Sequence, residues 1–471
     1  MAPAILGTDG LSCPFVIPNH DTPLGDVLPR WSASHLSHPA IIVTPKTEDD
    51  VVSAIHLAKQ NGFRLIPGGG GHGTFVPIDS ETVYVDMKAF KSIELDKPSD
   101  IVRLGAGVLT GELLKSLAAD GRYTTVSNSN AVGVVGSLLG GGTTSQNGLQ
   151  GFMVDNVLSF RLITAEGKTV EASSSSAGEE LALFHALCGA GHGLGVVTAA
   201  TMKTYPIADL GLSEDKIWTR TLVFPPPALK DVAEAFVAVQ HPAGPLNLQI
   251  TFLRSPPGTP AAGSPIIILS ATYYGPSADA EKAAAGLFDA SLVQKAIKAD
   301  TALLPLSRIN DGLEPLNAHG GFKSMNAARL AALKPESISA TFATWLQTTE
   351  KLPDAGRTAF VFHRFDPTKL QSNGATQQSK DKFVEGRDRG FTVMAVPWCY
   401  SPDSWGKLAA FVDEVLSICR RGDAGAARTL PNTMKLGADL GELFSDERVR
   451  ELQRVKKTWD AEDVFWSPYA R

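Results

Sequence analysis

Gly68-Gly69-Gly70-Gly71-His72-Gly73 decides how this 471-residue chain is read. The run follows a short apolar segment, Phe63-Arg64-Leu65-Ile66-Pro67, which reads as a strand delivering the glycines. Glycines let the backbone come close to a bulky charged group and offer it bare N–H donors. A histidine inside the run puts a nucleophilic nitrogen where that group ends. Amides for a pyrophosphate and an imidazole for a ring system are what a covalently tethered dinucleotide needs. Gly68-x-Gly70-x-x-Gly73 also satisfies GxGxxG, but that fingerprint requires a helix to open at the glycines. Here Thr74-Phe75-Val76-Pro77-Ile78-Asp79 comes next, then a strand-like run, Thr82-Val83-Tyr84-Val85, ending at Asp86. An ordinary Rossmann site is therefore disfavoured. Taken alone, a glycine-rich turn with an incidental histidine is the competing reading.

Working outward, Ile41-Ile42-Val43 reads as a strand, and Thr47-Glu48-Asp49-Asp50 supplies a cap and first-turn acids for a helix through Ala58. Ile101 to Gly107 reads as a strand ending in glycines, and Gly111 to Ala119 as a short helix. A second glycine system occupies 131–151, with Gly133, Gly136, Gly140, Gly141, Gly142, Gly148 and Gly151. A third comes after Phe184 to Cys188, with Gly189, Gly191, Gly193 and Gly195 running into Val196-Val197-Thr198. Three such loops in the first 200 residues point to one elongated ligand held from several sides; a loop-rich domain with many tight turns is the alternative.

After Pro206 the texture changes. Strand-like runs, Leu246 to Phe252 and Ile266 to Ser270, alternate with helical segments, Ala278 to Leu287 and Asp403 to Cys419. Strands with helices on one face make an α+β second domain. The stretch 255–265 reads as a hairpin loop, Ser173 to Ser176 as a surface turn, and Asp446 to Trp459 as a final helix.

Bulk properties narrow the function classes. A length of 471 residues suggests two or three domains. A net charge of -6 disfavours a nucleic-acid partner. No apolar run approaches the roughly 18 residues that a membrane helix requires. The start, Met1 to Asp9, does not read as a signal peptide. The four cysteines, Cys13, Cys188, Cys399 and Cys419, form no CxxC pair, so a metal site is not expected. The absence of an Asn-x-Ser/Thr site points the same way as the cysteines, to a cytoplasmic protein with free thiols.

The order of these features resembles a known family. Pro45-x-Thr47-x-x-Asp50-Val51 precedes the glycine loop with His72, and Val83-x-Val85-Asp86-Met87 comes after it. Then come Gly133-x-x-Gly136-x-x-x-Gly140-Gly141-Gly142, Asp155-Asn156-Val157-Leu158, and Gly193-x-Gly195-Val196-Val197-Thr198. The ending, Lys456-Lys457-Thr458-Trp459-Asp460-Ala461-Glu462-Asp463-Val464-Phe465, is similar to a K-x-x-Y-D-P-x-x-x-F tail. The chain thus resembles the FAD-linked oxidases of the vanillyl-alcohol-oxidase superfamily, in the berberine-bridge-like and 6-hydroxynicotine-oxidase-like branch.

The resemblance implies an α+β fold: a two-subdomain FAD-binding domain over 1–210, a substrate domain over 211–430 with an antiparallel sheet covered by helices, and a segment 431–471 returning to the FAD domain. It implies FAD bonded through His72. The cysteine that makes a second flavin link in many members corresponds to Ser129, so attachment at His72 alone is expected. The cofactor-binding set becomes Pro67, Gly68, Gly69, Gly70, Gly71, His72, Gly73, Ser129, Gly133, Val134, Gly136, Ser137, Gly140, Gly141, Asn147, Val154, Gly195, Val197 and Asn432. The sequence departs from the family pattern at Gly68, where an arginine is frequent, at Thr433 after Asn432, and at Trp459 and Ala461 in the tail.

The implied reaction moves a hydride from a small aromatic or heterocyclic metabolite to flavin N5, with dioxygen as acceptor and peroxide as product. A net non-redox cyclisation or isomerisation, with FAD partly as scaffold, is the alternative. The departing proton needs a base within hydrogen-bond reach. His363, at the end of Ala359 to Arg364, and Tyr400, sharing a face with Trp398 in a strand from Thr392, are the catalytic candidates. Tyr273, Tyr274 and Asn432 are further ones.

Overall fold

The computed structural model describes residues 7–239, 241–259 and 261–469. Met1 to Leu6, where the reading of the chain's start mainly falls, lie outside the described residues, as does Pro260 in the 255–265 loop.

The first layer is a β-α-β unit. Ile41–Val43 is β-branched and fully buried. The helix Glu48–Asn61 opens with a reciprocal cap, in which the Thr47 hydroxyl accepts the Asp50 N–H and the Asp50 carboxylate accepts the Thr47 N–H. Thr82–Asp86 pairs in parallel with both Ile41–Val43 and Arg64–Gly68. Short Phe15–Val16 closes the four-stranded sheet, antiparallel to Ile41–Val43.

The second layer is an antiparallel five-stranded sheet in the order Ile93–Asp96, Ile101–Gly105, Val196–Lys203, Val157–Ile163, Thr169–Ser173. Helices Thr110–Ala119 and Gly178–Ala190 accompany it. The two sheets share one large apolar core. Glu48 ties them, accepting from Arg161 Nε and Nη2 and from the Thr198 hydroxyl, each at 2.7 Å.

The third layer is a seven-stranded antiparallel sheet in the order Lys298–Pro305, Lys216–Phe224, Pro265–Tyr273, Leu246–Arg254, Ala359–Arg364, Phe391–Val396, Asn326–Leu330. The 255–265 loop joins two of these strands as a hairpin. Helices Leu229–Ala238, Pro335–Lys351 and Pro402–Arg420 lie on one face. Phe252, Phe342, Trp345, Phe360 and Phe362 pack there ring on ring. Burying an aromatic side chain in such a cluster is worth roughly 1.5–3 kcal/mol. The period of two then forces the alternate residues, Gln249, Thr251, Val361, His363 and Thr392, onto the opposite face.

One strand differs from its sequence reading. Thr392 to Tyr400 is not continuous: pairing with Ala359–Arg364 stops at Val396, and Trp398–Cys399 pairs instead with Phe322–Lys323. Pro397 has no N–H to donate, so the ladder breaks there.

The chain's end comes back to the first layer. After helix Asp446–Trp459, Leu65 N–H donates to Val464 O at 2.8 Å and Trp466 N–H to Leu65 O at 3.2 Å. Asp460, fully buried, accepts the N–H groups of Val464 and Phe465, both at 2.9 Å, and pairs with Lys456.

Candidate functional site

The three glycine systems converge. At Gly68 any side chain would collide with the Tyr84 phenol, which Arg30 holds from the other side. At Gly70 a Cβ would run into the backbone of Gly133, so the first and second loops touch main chain to main chain. Gly133 caps the short helix Val134–Leu139. Gly136 within that helix is exposed although its neighbours Val135 and Ser137 are buried, and a Cβ there would meet nothing within 4 Å. Gly69 is likewise exposed, between buried Gly68 and half-buried Gly70. In the third system Gly191 donates its N–H to Leu139 O at 2.9 Å, and His192 packs edge-on against Phe75 and has its carbonyl held by the Ser467 hydroxyl at 3.1 Å. Main chain of the first two systems thus lies bare at Gly69 and Gly136, with the third system packed behind the helix Val134–Leu139, and such N–H-rich walls suit a pyrophosphate.

Asn432 locks the second system from the far end of the chain. Its Oδ1 accepts Gly142 N–H at 2.8 Å and its Nδ2 donates to Ser137 O at 3.1 Å. Gly140 leaves the space that Asn432 fills.

His72 stands at the edge of this space. Its ring stacks on Trp31, with centroids 5.4 Å apart and planes 15° off parallel. Burial, aided by His319 and by the positive charges of Lys323 and Arg30, pushes its imidazole down to about 3. The ring is therefore neutral at physiological pH. Its Nε2 is buried and meets no hydrogen-bond partner among the described residues. Lys323, fully buried, lies 4.6 Å from the Trp31 ring and 4.1 Å from Trp398. Ser129 donates to Asn317 Oδ1 at 2.7 Å, and Asn130 Nδ2 to Glu314 Oε1 at 2.5 Å, so the segment Asp311–Asn317 lies against this corner.

His363 sits on the face of the seven-stranded sheet that the helices leave free. It is directly opposite Gln249 on one neighbouring strand and Thr392 on the other. All three are half-buried. Paired strands lie about 4.8 Å apart, so the three side chains form a row across the sheet. Burial alone pushes the His363 imidazole down to about 4, so it too is neutral at physiological pH and offers a lone pair. Contacts from the glycine-bearing layers reach the same end of the sheet: the Tyr274 phenol bonds the Ser145 hydroxyl, and Asn310 Nδ2 donates to Ser127 O at 3.0 Å.

Tyr400 is not part of this row. It lies beyond the broken strand, 54 % exposed, with its backbone N–H on Asp354, whereas Trp398 is 1 % exposed. The expectation that Trp398 and Tyr400 share a face fails at the Pro397 break. His363 pairs with Thr392, and Val396 is already about 13 Å along the strand from there. The structure therefore does not bring Tyr400 together with His363.

The remaining sequence-selected positions divide in two. Pro67, Gly71, Gly73, Gly141 and Gly195 belong to the converging loops, with Gly71, Gly141 and Gly195 at positive φ. The side chains of Val134, Asn147, Val154 and Val197 are enclosed by the chain itself. Asn147 Oδ1 accepts Thr144 N–H, and the Val154 carbonyl accepts Lys382 Nζ at 2.6 Å. Gln249, Thr392, Trp31 and Lys323 escaped the sequence reading. The first two become neighbours of His363 only through strand register, and the last two meet His72 from far along the chain. A lysine two residues after a glycine pair carried no local signal.

The glycine walls, the exposed Gly69 and Gly136, and the inner nitrogen of His72 without a partner fit a flavin dinucleotide. Comparison with known proteins agrees. The family described as FAD binding domain matches residues 39–173. An FAD-linked oxidoreductase, hasG of Aspergillus fumigatus, is 26% identical over 96% of this chain and 95% of its own length. Another, OXR1 of Pyricularia oryzae, is 26% identical over 93% and 85%. Among solved structures, the Physcomitrella patens BBE-like 1 protein superposes with a TM-score of 0.80 at 19% identity, covering 97% of this chain and 96% of its own. 6-Hydroxy-D-nicotine oxidase from Arthrobacter nicotinovorans gives 0.77 at 19% identity, covering 98% of both. Glucooligosaccharide oxidase from Acremonium strictum, described with a 6-S-cysteinyl, 8α-N1-histidyl FAD, gives 0.76 at 16% identity, covering 97% and 96%. The chain is an FAD-linked oxidoreductase, and its fold is berberine-bridge-like.

Proposed function

We propose that this FAD-linked oxidoreductase is an oxidase of a small aromatic or heterocyclic metabolite, with dioxygen as the acceptor and hydrogen peroxide as the product. The observation that carries the reading is the placement of His363, neutral and flanked by Gln249 and Thr392, on the sheet face that the helices leave free. FAD, when bound, supplies the two-electron acceptor. The chain's own residues do the rest. Gln249 and Thr392 offer hydrogen bonds that orient a substrate hydroxyl or amine, and His363 accepts the O–H or N–H proton of that group as the adjacent C–H bond gives up its hydrogen as hydride. A base acts across a heavy-atom separation of about 2.6–3.2 Å, which a group on a rigid strand holds better than one on a loop.

We further propose that the flavin is bonded to His72 alone. A neutral imidazole with its lone pair free is the form that can make such a bond. The position of a second link is Ser129, whose hydroxyl is already engaged by Asn317.

Stopped-flow spectroscopy without oxygen tests the oxidase reading. A panel of neutral phenolic and heterocyclic alcohols and amines is screened for bleaching of the flavin band, and positives are then assayed for oxygen uptake and peroxide. Bleaching followed by stoichiometric peroxide is the expected result. Product formation with neither would replace the oxidase reading by a net non-redox reaction.

A further inference from the structure

We propose that Lys323, acting through Trp31, is the positioning residue that fixes His72 for attachment of the flavin; the inference rests on the reading of His72 as the attachment site.

A fully buried lysine needs a structural reason, because its ammonium loses its water. Here the surroundings are built around it. Lys323 lies in the two-residue strand Phe322–Lys323, paired with Trp398–Cys399. The Ser32 and Ser34 hydroxyls donate to its carbonyl at 2.7 and 3.0 Å, and its N–H donates to Ser32 Oγ at 2.9 Å. Its Nζ donates to Ala318 O at 2.5 Å and faces the Trp31 and Trp398 rings at 4.6 and 4.1 Å. Attraction between a cation and an indole strengthens when both are removed from water.

Trp31 is therefore held twice, by the ammonium against its ring and by its Nε1–H on Leu316 O at 2.7 Å. The indole in turn sets the plane of His72, stacked on it 15° from parallel. Aiming a nucleophile removes much of the entropic barrier to its reaction. The same cation, with Arg30, opposes protonation of the imidazole and keeps its lone pair available. Lys323 thus contributes direction through the indole and charge through space.

In the attachment an N–C bond forms between an imidazole nitrogen and the flavin 8-methyl carbon, while one N–H and one C–H bond break. Two protons and two electrons leave, and dioxygen takes them up as hydrogen peroxide. Lys323 forms no bond in this step.

The test uses the full chain as wild type, Lys323→Met, Lys323→Arg and Trp31→Phe. Each is produced in riboflavin-starved cells and mixed with FAD in air. Two quantities are followed: total flavin bound to the native protein, and the share that stays with the polypeptide after acid precipitation. A purely structural lysine would move stability and total flavin together and leave that share unchanged. The expected result is attachment slowed about tenfold or more in Lys323→Met and Trp31→Phe, and by no more than about threefold in Lys323→Arg, with native flavin retained. Attachment by Lys323→Met at the wild-type rate would overturn the proposal. If Lys323→Met takes up no flavin, Trp31→Phe decides, and its attachment at the wild-type rate overturns the proposal equally. Wild-type protein with no acid-stable flavin would instead remove the His72 reading itself.

Discussion

A Cβ added to Gly133 would lie 2.7 Å from the backbone nitrogen of Gly70, and one added to Gly70 would come closer still to the backbone nitrogen of Gly133. The contact is reciprocal, and both partners are main chain, so neither can move aside as a side chain would. Gly70→Ala is expected to force the two loops apart at a cost of about 1–3 kcal/mol. The loss should appear first as reduced flavin content, measured as the ratio of flavin to protein absorbance. A Gly70→Ala protein with full flavin content would show that the loops do not need this approach.

Asn432 joins the chain's end to the second glycine loop, 290 residues away. Asn432→Leu strands the Gly142 N–H, while the Ser137 carbonyl loses the amide but keeps the Gly140 N–H. Leaving buried polar groups unpaired costs roughly 1–3 kcal/mol each. A lowered melting temperature and weakened flavin retention are expected together. Unchanged melting would mean that the helix Asp446–Trp459 and the bonds to Leu65 hold the 431–469 segment without Asn432.

The two catalytic candidates of the sequence reading now separate. His363→Gln keeps the size and one hydrogen-bonding atom but removes the basic nitrogen, so kcat with an identified substrate should fall by about 10²–10⁴ while bound flavin is retained. Tyr400→Phe, at a half-exposed position beyond Pro397, is expected to change kcat by less than about threefold. The reverse ranking would relocate the base.

Two desolvated histidines outside the flavin link make stability depend on pH. Burial pushes His192 and His363 down to about 4. In the unfolded chain each titrates near 6.5. Between those values the unfolded chain binds more protons than the folded one, so stability is fully present above about pH 6.5 and is lost as pH falls toward about 4. Urea midpoints measured from pH 7 to pH 4.5 should fall steadily, and His363→Gln should flatten the slope. An unchanged slope in that variant would mean that His363 is protonated in the folded protein.

The parts of the molecule legible in the sequence are local. His72 in its glycine run, the reciprocal cap at Thr47 and Asp50, and the helices Pro402–Arg420 and Asp446–Trp459 are set by neighbours within one or two turns. Alternation along Leu246–Arg254 announces a sheet with one apolar face. The row Gln249, His363, Thr392 is not legible, because register between strands that no short turn joins is decided by packing of the opposite face. The break after Val396 does carry a sequence signal, since Pro397 inside a strand-like run demotes the residues beyond it. Lys323 against Trp31 is a tertiary contact of the kind that no local pattern encodes.

A flavin bonded to this chain at His72 stays with the polypeptide when the protein is denatured. Acid precipitation of the purified protein, with absorbance read on pellet and supernatant, is therefore decisive. A yellow pellet from wild type, and a colourless pellet from His72→Ala, is expected. A colourless wild-type pellet beneath a yellow supernatant would contradict it.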